Sequence, residues 1–216
     1  MLSLFEELLL LAVHEDKGTF IGSALEKINT GLVGAMLAEL ALRGGIQIQE
    51  NHRLSVVDVN PIEDEILNEA LEVMKDSEKE RKSGYWINAL AQKPEKIRRR
   101  ITERLIQQGI VTQEDDHLLW VIPSPLLPEK KASTKYWIKR RLRTIVLASE
   151  PAELRDIALL NIIKACDMLD LVFLKDERRL ASRQIGELVV SEALKNPVAQ
   201  TIEEIGLAIA VVVEDD

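Results

Sequence analysis

Over most of this chain, apolar residues recur at helical rather than strand spacing. Ser3, with Glu6 three residues on and the leucine run behind it, predicts a first helix opened by a capping box, and "DKG" at 16–18 predicts its end. Leu25, Ile28, Leu32, Leu37 and Leu40 mark a second helix, in which Gly31 and Gly34 lower helix propensity and suit close approach of a neighbour. Asn60-Pro61 with Glu63 predicts the start of a third, carrying the stripe Ile62, Ile66, Ala70 and Met74. A short helix around Trp86 leads to Pro94, which opens a fifth with Ile97, Ile101 and Leu105 on its buried face and Gly109 at its end. After the proline-rich "SPLLP" at 124–128, helices are expected over residues 133–148, 151–174, 177–195 and 199–213. "IALLNIIKACDMLDLVF" is apolar on most of its circumference and predicts a central helix with Ile162, Ile163, Cys166 and Leu169 buried. "IGLAIAVVV" fits helix or strand, its β-branched tail favouring strand.

Two short interruptions break the helical pattern. "LALRGGIQIQENHRLSVVD" (40–58) and "LIQQGIVTQEDDHLLWVIP" (105–123) share one order: helix end, glycine, short strand, polar turn, second strand. Gly45-Ile46 falls opposite Gly109-Ile110. The expected fold is therefore mainly α, one helical domain over 1–216 with central apolar helices and two small β-hairpins. A helix followed by such a hairpin also ends a winged-helix module, so nucleic-acid binding stays open as an alternative.

Composition narrows the class. At 216 residues the chain is long enough for a real core, and aromatics at 4% make that core aliphatic. One cysteine, Cys166, excludes a disulfide framework and thiolate metal clusters. The longest apolar run near the start, Leu8 to Val13, is too short to span a bilayer, so membrane contact would be peripheral. The net charge of −8 hides an asymmetry: from Lys93 to Arg143 there are 13 basic and 6 acidic residues, a net of +7, so the remainder carries −15. Such a dipole points to an anionic partner approached from one side, with Arg98, Arg99, Arg100 and the "KRRLR" cluster at 139–143 expected on one face.

"KPEKIRRR" puts five cations at a helix start, where the backbone is already positive and acidic residues are the stabilising choice. The common reading is a solvated face, with Glu103 pairing to Arg99 or Arg100. In "HLLWVIPSPLLP" (117–128), Leu118, Leu119, Trp120 and Val121 form an apolar run beside a polar turn; strand alternation would bury Leu119 and Val121 and expose Leu118 and Trp120. Signals for catalysis are poor. His14, His52 and His117 are scattered without metal-ligand spacing, Cys166 sits in apolar sequence, and no phosphate-cradling glycine loop occurs. The expectation is a non-enzyme without cofactor or metal.

"LSLFEELLLLAVHEDKG", "TGLVGAMLAELALRGGIQI", "RITERLIQQGIVT" and "LLNIIKACDMLDLVF" resemble, in order and spacing, successive landmarks of the Golgi phosphoprotein 3 family. The resemblance implies a cytoplasmic, peripherally membrane-associated adaptor that binds phosphatidylinositol 4-phosphate headgroups and the cytoplasmic tails of membrane proteins. The long basic tail that precedes the domain in eukaryotic members is missing, which suggests a compact, prokaryotic type of relative. By position, the second arginine of the family's helical headgroup pair is Arg98, while the first falls on Glu95 with Lys96 beside it. The arginine of the glycine-rich stretch falls on Val33, and the pocket tryptophan falls near Ala24, with Phe20 close by. The resemblance thus marks Lys96, Arg98, Arg99, Arg100 and Phe20 as lipid-binding candidates, with general affinity for anionic surfaces the safer inference. It marks Leu118, Leu119, Trp120 and Val121 as candidates for membrane contact or for self-association into a homo-oligomer. A protein-only scaffold using the same hairpin is the third reading.

Overall fold

Every residue of the first helix, α1 (Leu4–Ala12), is buried, Glu6 and Glu7 included. The computed structural model describes residues 1–14, 19–57, 62–114, 117–120 and 133–215, with 94, 112–114, 117–120 and 215 described through their backbone. A helix apolar on all sides needs neighbours on all sides, and α1 is flanked by α2 (Ala24–Leu42), α5 (Pro94–Gln107), α6 (Thr134–Leu147) and α7 (Leu154–Ala165). Carboxylates meet two N–H groups at its start: Ser3 N donates to Glu6 Oε2 (2.7 Å) and Leu4 N to Glu39 Oε2 (2.9 Å). The helix ends at Ala12, where Val13 turns extended; the "DKG" expected to stop it lies outside the described residues.

The second centre is α9 (Pro197–Asp215), which packs on α2, α7, α8 (Arg178–Ala193) and α4 (Ser83–Leu90). Glycines bring these helices close. A Cβ on Gly34 would stand 2.3 Å from Ile209 Cδ1, and one on Gly206 would stand 2.2 Å from Asn161 Nδ2. Asn161 Nδ2 is itself fixed, donating to the carbonyl of Ile202 at 2.9 Å. Gly31 meets Leu8, Cys166 and Met168. "IGLAIAVVV" is thus helix: its Ile205 and Ile209 fill the core that strand pairing would have left open.

Both expected hairpins form. Strands β1 (Ile46–Ile48) and β2 (Leu54–Val56) pair antiparallel with Ile46 opposite Val56. Strands β3 (Val111–Glu114) and β4 (His117–Trp120) pair with Val111 opposite Trp120. The echo between the two is real but shifted by one residue. Gly44 (φ +73°) and Gly109 (φ +67°) are the left-handed caps, with Gly45 N bonded to Leu40 O and Ile110 N to Leu105 O, one C-terminal motif used twice. Gly109 therefore matches Gly44, not Gly45.

Two helix boundaries differ from expectation. The third helix, α3 (Glu65–Lys75), starts at an Asp64 N-cap whose side chain accepts from Ile66 N and Leu67 N, rather than at Asn60-Pro61, which lies outside the described residues. Ile62 is still buried, ahead of the helix. The single helix expected over 151–174 is broken: α7 ends at Ala165, Asp167 turns left-handed (φ +50°), and a 3₁₀ turn follows at Leu169–Leu171. The turn lets Cys166 and Met168 tuck beside Gly31, and Ile162, Ile163, Cys166 and Leu169 are buried as expected.

Candidate functional site

The start of α5 follows from its apolar stripe. Ile101 and Leu105 are fully buried and Ile97 partly, which fixes the helix's rotation and sends its cations in three directions. Lys96 Nζ meets Glu69 Oε1 of α3 at 2.6 Å, and Arg100 binds the other oxygen of the same carboxylate. The hydrogen bond from Lys96 leads the influences that hold the Glu69 carboxyl below the usual carboxylate range, with Arg100 adding to it. These groups rim a cleft of about 210 Å³ whose floor includes Met36, Ile66 and Ile97. Arg99 points to solvent and sits 3.6 Å from Glu103 one turn on, the surface pairing foreseen from spacing.

Arg98 goes elsewhere. Its guanidinium carbon lies 5.6 Å above the Phe20 ring, a cation–π contact, and among the described residues it makes no ion pair. Phe20 is held by a bridge to Val13 and by bonds from His14 N to Thr19 O and Ile21 N to Ala12 O, so it belongs to the turn between α1 and α2. Of the five headgroup candidates the fold joins Arg98 to Phe20, joins Lys96 to Arg100 through Glu69, and leaves Arg99 in solvent beside Glu103. In the second hairpin, the backbone of Leu118, Leu119 and Trp120 pairs with β3. The side chains of those three, and Val121 altogether, lie outside the described residues.

Among the described residues Arg104, Arg141 and Arg143 of the basic block pair with acids of other segments, so their charge does not add to a single positive face. Arg104 binds Asp64 through both nitrogens, at 2.7 and 3.0 Å. Burial opposes ionisation of Asp64, but Arg104 and the two N-cap bonds outweigh it and hold its carboxyl below the usual range. Arg141 reaches Glu7 at 2.5 Å and Asp156 at 2.7 Å, and Arg155 reaches Glu7 at 3.3 Å. Burial pushes the Glu7 carboxyl up despite both arginines. Arg143 grips Glu177 with two bonds of 2.6 Å. The block's excess charge is largely spent on acids drawn from elsewhere in the chain. Glu6 and Glu7 were the overlooked signal: two carboxylates inside a run of leucines must be buried and must find cations.

A sequence profile of the family described as Golgi phosphoprotein 3 (GPP34) matches residues 4–205. The chain belongs to the Golgi phosphoprotein 3 family. It is also similar to vacuolar protein sorting-associated protein 74 of Eremothecium gossypii, 30% identical over 165 residues, which cover 68% of this chain and 49% of that protein. The chain thus spans about half the length of that relative. For this Golgi phosphoprotein 3 domain, no helix among the described residues is long and apolar enough to cross a membrane. Cys166 is fully buried, its thiol pushed up to about 12 by desolvation, and His52 rests against Glu204 at 3.2 Å. Among the described residues no group of three His, Cys, Asp or Glu converges as a metal site.

Proposed function

We propose that this domain is a peripheral membrane adaptor that docks on anionic lipid headgroups, phosphatidylinositol 4-phosphate among them, and acts by binding rather than catalysis. The observation that supports the reading is Arg98: an arginine in the first turns of α5 stacked on Phe20 and, among the described residues, without the carboxylate that its neighbours have. A guanidinium held by an aromatic ring keeps its outward N–H groups for phosphate oxygens. Lys96 and Arg100, each two residues from Arg98 and so on the other side of α5, contribute only long-range attraction, partly offset by Glu69. The hairpin carrying Leu118, Leu119, Trp120 and Val121 supplies an apolar second contact or a homo-oligomer interface, and cytoplasmic tails of membrane proteins are the clients. The domain works in the cytoplasm, at the membrane surface.

Cosedimentation with phosphatidylcholine vesicles carrying phosphatidylserine or phosphatidylinositol 4-phosphate, at low and high salt, tests this. Arg98→Ala should weaken binding about fivefold at low salt, the worth of one basic residue near an anionic surface, and less at high salt. Wild-type protein that ignores both vesicles yet shifts duplex DNA would replace the reading with the winged-helix alternative.

A further inference from the structure

The start of α6 carries an aromatic group that the headgroup reading does not use. Ile138, Leu142, Ile145 and Val146 face the core, and Lys135 is buried with its Nζ donating to the carbonyl of Val13. That spacing forces Tyr136, Trp137 and Arg140 outward. Tyr136 is 50% exposed and Trp137 51% exposed, in a chain with only two Tyr and three Trp. Their rings meet edge to face at 5.4 Å, and the Arg140 guanidinium carbon lies 5.4 Å over the Trp137 ring. Among the described residues Arg140, like Arg98, makes no ion pair, whereas Arg141 and Arg143 beside it do.

Position links this group to the candidate site. Lys135 anchors the first turn of α6 to Val13, Val13 pairs with Phe20, and Phe20 lies under Arg98. The first turn of α6, with Tyr136 and Trp137, is therefore tied to the same turn after α1 that carries Phe20 and Arg98, while Arg140, next to the Arg141 that binds Glu7, lies further along α1; among the described residues neither Arg98 nor Arg140 has a carboxylate partner. We propose that Tyr136, Trp137 and Arg140 form a further lipid contact, apart from the headgroup site and the hairpin, with the two rings at the level of the headgroups and Arg140 on a lipid phosphate. The inference rests on the membrane reading above and extends it. The occupant follows from chemistry. Tyr and Trp present an apolar body and a polar edge, which suits the boundary between headgroups and acyl chains better than water or hydrocarbon. The cation over the ring is matched by anionic lipid and not by a neutral apolar partner.

The test uses the full chain with Trp120→Phe, leaving Trp137 as the accessible tryptophan, since Trp86 is only 3% exposed. Vesicles of phosphatidylcholine and phosphatidylserine, with and without bromine-labelled acyl chains, are added while emission is followed. The expected result is a blue shift and bromine quenching that vanish in Trp120→Phe/Trp137→Phe. In an otherwise wild-type chain, Trp137→Ala should weaken vesicle binding about tenfold, an effect that persists at high salt because it removes apolar burial rather than charge. Trp137→Phe should recover part of the loss, which separates a lipid contact from misfolding. Unchanged binding by Trp137→Ala with no quenching overturns the proposal, and if Arg98→Ala still loses affinity the headgroup reading stands alone. Loss with Trp137→Ala but not with Arg98→Ala keeps this contact and removes the Arg98 role. A change in sedimentation of Trp137→Ala with vesicle binding intact assigns the patch to a second copy of the chain and overturns the lipid assignment. Wild-type protein that binds no vesicles overturns both.

Discussion

Replacing Arg141 with Met removes the cation that ties α1 to α6 and α7 while keeping most of the side chain's aliphatic stem. Glu7 and Asp156 would lose their contacts at 2.5 and 2.7 Å, and their side chains are only 4% and 6% exposed. Breaking a fully buried ion pair from one side costs about 3–5 kcal/mol. The Arg141 side chain is 39% exposed, and Arg155 still reaches Glu7 at 3.3 Å. The expected loss is therefore smaller, about 2–4 kcal/mol near neutral pH.

The sign of the pH dependence follows from Glu7. Burial already raises its carboxyl above the ordinary value of 4.5, and Arg141 is the leading influence that opposes the rise. In the variant the carboxyl rises further. Above that raised value the folded protein must hold a poorly solvated anion, and the penalty is full. As pH falls, folded Glu7 takes up a proton before the unfolded chain does, and the penalty shrinks. Urea denaturation followed by far-ultraviolet circular dichroism, near neutrality and at about pH 5, measures both halves. Arg141→Met with Glu7→Gln should regain about half of the loss, since one of the two carboxylates that lost Arg141 is then neutral. A loss below about 1 kcal/mol, or one equal at both pH values, would refute the account.

Gly206→Ala should destabilise by about 1–3 kcal/mol, because its methyl would overlap Asn161, which cannot retreat without giving up its bond to Ile202. Calorimetry should show a fall in Tm of about 2–4 °C per kcal/mol lost, and an unchanged Tm would mean that the helices separate freely. Cys166, with its thiol pushed up to about 12 and no exposed surface, should resist iodoacetamide in the folded protein at about pH 8 and react on unfolding. Intact mass reads the outcome, and native labelling at the rate of a free thiol would contradict the burial.

Helix content was legible because its causes are local. The stripes Ile97, Ile101, Leu105 and Ile138, Leu142, Ile145 declare their helices and their buried faces without reference to any other segment. The two hairpins were legible for the same reason, from glycine and polar turns between apolar stretches. The break at Asp167 was not, because no glycine or proline marks it. It follows from the fit of Cys166 and Met168 against Gly31 on another helix. The fate of charge was the least legible of all. A run of basic residues reads as one surface when partners are unknown, yet Arg104, Arg141 and Arg143 are claimed by Asp64, Glu7, Asp156 and Glu177. Those pairings exist only once the helices pack, because the buried carboxylates of Glu7, Asp64 and Asp156 must be neutralised by whatever cation the topology brings within reach, and Glu177 is brought beside Arg143 by the same packing. Arg98 and Arg140 were left to aromatic rings by the same packing, and only the tertiary structure could single them out from the cations around them.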